Sequence, residues 1–260
     1  MIQSVQRAME ILSLFSHVRS CLGITEISQA LKLPKGTVHG LTNTLVEGGY
    51  LQRDPDTRKY KLGLTILELG TIMIETLDIN QKALPAVRQL SKKTEFLVKL
   101  AVWDGFSVVI TMTTNSLSSE LEGLAHHLGP RIPAYCSALG KAILAHLDSN
   151  DLVNYLAKTE LVAYTPETIN SKENLLIEIE KIREQGYAVS RKELLLDTAC
   201  LAAPIFDSHG RVMAAISLTT TPNRLLEKKE SNYASQVIET AWIISREMGY
   251  FPEKMAFSAR

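Results

Sequence analysis

Ile24-Thr25-Glu26-Ile27-Ser28-Gln29-Ala30-Leu31, a break at Lys32-Leu33-Pro34, and then Lys35-Gly36-Thr37-Val38-His39-Gly40-Leu41-Thr42-Asn43-Thr44-Leu45-Val46 decide how this chain is organised. In the first segment Ile24, Ile27 and Leu31 share one helical face. Pro34 suits the first position of a second helix, where its missing N–H has no partner to lose. Val38, Leu41 and Leu45 fall at i, i+3 and i+7 and so face inward. The opposite side carries Gly36, Thr37, His39, Gly40 and Asn43, small and polar, with Lys35 as a single charge at its start. Two short helices joined by a tight turn, the second with a polar outer face, form the helix-turn-helix that enters a DNA major groove.

The next residues fit that reading. Gly48-Gly49 ends the helix, and Tyr50-Leu51-Gln52-Arg53 begins a strand. Asp54-Pro55-Asp56-Thr57 is turn chemistry, and Arg58-Lys59-Tyr60-Lys61-Leu62 returns as a second strand. A basic hairpin after a helix-turn-helix is a wing, and its charges suit phosphates, which position a protein without reading sequence. Residues expected at DNA are therefore Thr25, Lys35, Gly36, Thr37, His39, Gly40, Asn43, Arg53, Arg58 and Lys59. Residues 1–62 hold eight basic and five acidic side chains, although the whole chain is formally neutral. Local positive charge on a neutral protein fits specific binding with modest non-specific affinity.

Working outward, Ser4 is placed to cap a first helix whose apolar side is Val5, Ala8, Met9, Leu12 and Phe15. After the wing, residues 63–79 form a linker helix with Leu62, Ile66, Leu69, Met73 and Leu77 along one side. Apolar surface of that extent outside a domain core must be buried, and the same helix of a second copy is the expected partner. A dimer also supplies the two-fold axis needed to read a palindromic operator.

Residues 80–260 alternate between helix and strand. Gln81 to Lys93 reads as helix, Phe96 to Trp103 and Ser107 to Thr113 as strands around Asp104-Gly105, and Leu121 to Leu128 as a weaker strand or turn. Ser137 caps a helix over 138–147, and Asn170 with Glu173 makes a capping box for a helix ending at Gly186. Tyr187 to Ser190 is a strand, residues 200–206 and 212–218 form a second hairpin, and Leu225 to Met248 is the terminal helix. Hairpin-joined strands with helices set apart give an antiparallel α+β layer.

Composition sets the class. With 260 residues, 45% hydrophobic and 22% charged, the chain is long enough for two globular domains. Three widely spaced cysteines, Cys21, Cys136 and Cys200, do not make a disulfide framework. No apolar run approaches a membrane span and the start lacks a signal-peptide pattern, so a cytoplasmic location without membrane contact is expected. His126, His127, Cys136 and Cys200 lack zinc-ligand spacing, and no nucleophile–base–orienter set is apparent. Neither a metal, a cofactor nor an enzymatic activity is expected.

Five motifs in order make the chain resemble the IclR-type bacterial transcriptional regulators over nearly its whole length. They are Gln3-Ser4-Val5-x-Arg7-Ala8, Leu33-Pro34-Lys35-Gly36-Thr37-Val38-His39, Pro133-x-x-x-Ser137-x-x-Gly140-Lys141-Ala142, Gly186-Tyr187-Ala188-Val189, and Cys200 to Asp207 followed by Gly210. The resemblance implies a winged helix-turn-helix (1–62), a linker helix (63–79) and a GAF-like effector domain (80–260). It also implies a homodimer, commonly paired again as a tetramer, acting on a nearby promoter, more often as a repressor. One departure is Gly40, where the family often has Arg. Readout then shifts to Thr37, His39 and Asn43, with Asn able to pair bidentately with adenine.

Carried onto this chain, the family's effector pocket is lined by Leu121, Leu124, Ala138, Leu139, Ser190 and Cys200, with Tyr135 and Ser137 nearby. The start of the 138–147 helix offers free N–H groups suited to a carboxylate, and the apolar remainder suits a small organic acid, aromatic or not. A redox response through Cys136 or Cys200, a metal response and an effector-independent regulator stay open as alternatives.

Overall fold

In the computed structural model, which describes residues 2–114, 130–227 and 230–251, the chain forms two compact units, Met1–Thr76 and Leu77–Arg260. The first contains α1 (Gln3–Ser13), α2 (Ile24–Leu31), α3 (Lys35–Glu47), β1 (Leu51–Arg53), β2 (Tyr60–Leu62) and α4 (Leu64–Thr76). Its core is Ile11, Leu22, Ile27, Val38, Leu45, Leu51 and Tyr60. β1 and β2 pair antiparallel, and an isolated bridge from Leu22 to Tyr60 ties the loop before α2 to the wing.

Three local expectations are corrected. Ile11 is the buried residue of α1, with Ala8, Leu12 and Phe15 packed around the same core, while Val5 and Met9 are exposed. Residues 8, 11, 12 and 15 have the i, i+3, i+4, i+7 spacing of one stripe, and Val5 and Met9 lie beside it. Ile2 rather than Ser4 precedes α1, with no side-chain cap. Pro34 has extended backbone and stands before α3 rather than in its first turn.

The second unit contains α5 (Asp78–Thr94), β3 (Leu97–Trp103), β4 (Ser107–Thr114), β5 (Arg131–Pro133), α6 (Ala138–Leu144), α7 (Ser149–Lys158), α8 (Lys172–Gln185), β6 (Ala188–Arg191), β7 (Ala199–Phe206), β8 (Val212–Thr220), α9 (Pro222–Glu227) and α10 (Glu230–Glu247). The strands form one antiparallel sheet in the order β5-β4-β3-β8-β7-β6. Helices α5 and α10 cover one face, where Val98, Leu100, Leu201, Ala203, Ile216 and Leu218 point. The other face, carrying Ala101, Ala188, Ala202 and Ala215, packs under α6, α7 and α8. Strands β3, β4, β6, β7 and β8 each supply both cores, because successive side chains alternate across the sheet.

The sequence reading missed α7 and β5. Helix α6 stops at Leu144, and of the expected helix over 225–248 residues 228 and 229 lie outside the described residues. The cap of α8 is Ser171, whose hydroxyl accepts from the Asn174 N–H at 3.2 Å, one residue later than expected. Gly186 closes α8 in the left-handed conformation, with φ of 79°. The segment 121–128 lies outside the described residues.

Candidate functional site

In the first unit, the small polar side of α3 is solvent-facing. Lys35, Gly36, His39, Gly40 and Asn43 are exposed and Thr37 is half-buried. Inward, Val38 and Leu45 are joined by Thr42, whose hydroxyl donates to the Val38 carbonyl at 2.9 Å; Leu41 is only half-buried. Thr25 is exposed on α2. Asn43 Nδ2 lies 3.3 Å from His39 Nδ1, so the two readout candidates hold each other one turn apart.

Gly36 and Gly40 both open onto free space, with no atom within 4 Å of an added Cβ. Packing, not propensity, therefore holds α3 helical. Gly40→Ala is expected to stabilise α3 by about 0.5–1 kcal/mol, seen as slower hydrogen exchange of the α3 amides; unchanged or faster exchange would contradict it.

The wing turn is built by Asp54. Its Oδ1 accepts from the Thr57 N–H at 2.7 Å, the Thr57 hydroxyl at 2.8 Å and the Asp56 N–H at 3.1 Å, and the Thr57 N–H bond chiefly holds its carboxyl below the usual range. Arg58 sits at positive φ on the tip and is exposed, as is Arg53, whose guanidinium stacks 5.9 Å from the Tyr60 ring. Lys59, half-exposed on the wing, also has a partner within the unit. Its Nζ lies 3.2 Å from Glu26, whose carboxylate also accepts from the Gly23 N–H at 2.6 Å. Lys59 thus fastens the wing to the start of α2.

In the second unit, five of the eight effector candidates converge. Ser137, Ala138, Leu139, Ser190 and Cys200 line a small cavity of about 40 Å³ between α6 and the sheet. Tyr135 is buried away from it: its hydroxyl donates to the Val162 carbonyl at 2.8 Å. Leu121 and Leu124 lie outside the described residues. Sequence reading missed Lys99, Ser217 and Thr219, which also face the cavity. The signal was present, as a charged residue inside the apolar run 97–103 and two hydroxyls at i, i+2 inside β8.

One expectation for α6 holds and one changes. Ser137 is a working cap, its hydroxyl accepting from the Gly140 N–H at 3.1 Å and donating to the Pro133 carbonyl at 2.9 Å. With only seven residues, α6 is a weaker anion site than a long helix start, and one of its N–H groups is already taken. Behind the cavity, Lys141 Nζ reaches Glu193 at 2.7 Å and Glu178 at 3.2 Å, and Lys141 is 1% exposed. Burial raises the Glu193 carboxyl above its usual value, with the Lys141 charge opposing. Burial pushes the Cys136 thiol up to about 12 and raises Cys200 as well. The thiolate is the reactive form, so neither cysteine has the lowered pKa of a redox sensor. Among the described residues no three His, Cys, Asp or Glu side chains cluster to hold a metal. Nor is any described helix long and apolar enough to cross a membrane.

Comparison with known proteins places this geometry. Residues 4–55 match the family model described as the IclR helix-turn-helix domain, and residues 71–246 match that of the bacterial transcriptional regulator IclR C-terminal domain. The HTH-type transcriptional regulator XynR of Escherichia coli (strain K12) is 34% identical over 250 residues, covering 96% of this chain and 98% of that protein. The HTH-type transcriptional regulator KdgR of the same organism is 31% identical over 249 residues, covering 96% and 94%. The crystal structure of Thermotoga maritima IclR superposes with a TM-score of 0.73 at 29% identity, covering 96% of this chain and all of that one.

Proposed function

Because the chain belongs to the IclR family of bacterial transcriptional regulators, and is therefore a DNA-binding regulator rather than an enzyme, we propose that it is a cytoplasmic repressor released or tightened by a small organic acid. The observation that carries the sensing half is the cavity between α6 and the sheet, which brings Ser137, Ala138 and Leu139 together with the sequence-distant Ser190 and Cys200. On this reading α3 enters the major groove, Asn43 and His39 meet base edges, and Lys35, Arg53 and Arg58 meet phosphates.

The bound form is a homodimer on a palindromic operator, with pairing of dimers a further step. Support comes from α4, which has no buried residue although it carries Leu64, Leu67, Ile72 and Met73. Apolar surface of that extent is expected to be covered by a second copy. A bound acid shifts the equilibrium between subunit arrangements by its differential affinity for them, about 1–3 kcal/mol in couplings of this kind.

Gel-shift titration of the protein on its own upstream DNA tests the reading, with and without a panel of carboxylates. Lys35→Ala and Arg58→Ala are expected to weaken binding about equally on all sequences, each lowering the salt dependence by about one counterion. Asn43→Ala is expected to relax preference at one base pair, by about 1–3 kcal/mol. An Asn43→Ala protein with unchanged operator preference would remove Asn43 from the readout face. Selective DNA binding unaffected by every acid would leave the regulator standing and remove its sensing role.

A further inference from the structure

The sheet floor of the cavity has an unusual makeup. Strand register places Ser190 opposite Cys200, and Cys200 opposite Thr219, in one cross-strand row. In the adjoining row Ala202 lies opposite Ser217, and Ser217 opposite Lys99. Directly opposed residues project to the same face, here the face under α6 that otherwise carries Ala101, Ala188 and Ala215. Lys99 is 7% exposed, and no carboxylate pairs with it among the described residues. Burial alone holds its ammonium below the usual range, opposed only by Cys200. Beside it, the Ser217 hydroxyl is fully enclosed and has no hydrogen-bond partner among the described residues. A buried cation and a buried hydroxyl without partners each cost free energy, and a ligand that satisfies both at once recovers it.

We propose that Lys99 is the carboxylate anchor of the cavity, and that Ser217, Thr219 and Ser190 beside it select a short hydroxylated carboxylate over an unhydroxylated or aromatic one. The proposal rests on the sensing role given above and specifies its ligand class. The cavity is small, about 40 Å³, which favours a short ligand over an aromatic one. Chemistry agrees too. Lys99 supplies the charge, while Ser217 and Ser190 can donate to or accept from hydroxyl groups.

The test is thermal unfolding of the full chain followed by fluorescence of Trp103 and Trp242, both in the unit that holds the cavity. Probes are glycerate, threonate, benzoate, inorganic phosphate and the neutral amide glyceramide. Glycerate or threonate is expected to raise the melting temperature of the unaltered protein, and glyceramide is not. Lys99→Met should fold, since it removes a buried charge at similar length, and melting without ligand verifies this. Its half-saturating acid concentration should rise about thirtyfold or more, and that of Ser217→Ala about tenfold. Equal response of Lys99→Met and the unaltered protein overturns the anchor while leaving the sensing role intact. Tighter binding of benzoate or phosphate than of either hydroxy acid overturns the ligand class. Stabilisation by no probe overturns this proposal, while a gel shift released or tightened by another acid of the panel keeps the sensing role.

Discussion

Lys141→Met is expected to lower the stability of the unit spanning 77–260 by about 3–5 kcal/mol, the usual cost of leaving a buried charge without its partner. Lys141 is fully enclosed on α6 and reaches across to Glu193 and Glu178. Glu178 is the more exposed of the two carboxylates and can turn to water, whereas Glu193 cannot. Denaturant unfolding followed by tryptophan fluorescence measures the loss.

Two controls make the cause specific. The double variant Lys141→Met, Glu193→Gln should recover most of the stability, because removing both charges leaves nothing uncompensated. The pH dependence has a definite sign. Burial already raises the Glu193 carboxyl, and loss of Lys141 raises it further. A carboxyl whose folded pKa lies above its unfolded one carries its full penalty above the folded value and sheds it as pH falls toward the unfolded value. The gap between Lys141→Met and the unaltered protein should therefore narrow from neutral pH toward about pH 4. A gap that stays constant, or a single variant as stable as the parent, would show that the pair does not hold α6 to the segment after β6.

Gly140→Ala is the second large effect. A Cβ at Gly140 would overlap the Cα, carbonyl carbon and oxygen of Ala134. These are backbone atoms in a segment held by the bonds from Ser137 to Pro133 and from the Tyr135 N–H to the Tyr155 hydroxyl. Rotating a side chain cannot relieve the overlap, so the expected cost is about 3 kcal/mol, the upper part of the range for overpacking. The same denaturation experiment measures it. Gly40→Ala is the contrast: the same substitution, in open space, with the opposite sign expected. If Gly140→Ala unfolds like the parent, α6 does not press against the chain at Ala134.

Much of the frame was legible without coordinates because it depends on local rules. The turn at Lys32–Pro34, the Asp54 wing turn, the Asp104-Gly105 hairpin, the Ser137 cap and the left-handed Gly186 all follow from residues a few positions apart. Face assignments were less secure where two stripes competed, as on α1, where Ile11 took the core and Val5 and Met9 did not. The short α7 and the three-residue β5 gave too few periods to register.

Local sequence patterns set most of the element order, short α7 and β5 aside, together with the polar face of α3 and the family. The tertiary structure decided which side chains share a cavity. Lys99, Ser190, Cys200, Ser217 and Thr219 come from four strands far apart in sequence, and only sheet register sets them side by side. It also decided which charges are free, turning Lys59 toward Glu26 and Lys141 toward Glu193 while leaving Lys35 and Arg58 exposed. Pairings across long sequence separations depend on packing of the whole unit, which no local pattern encodes.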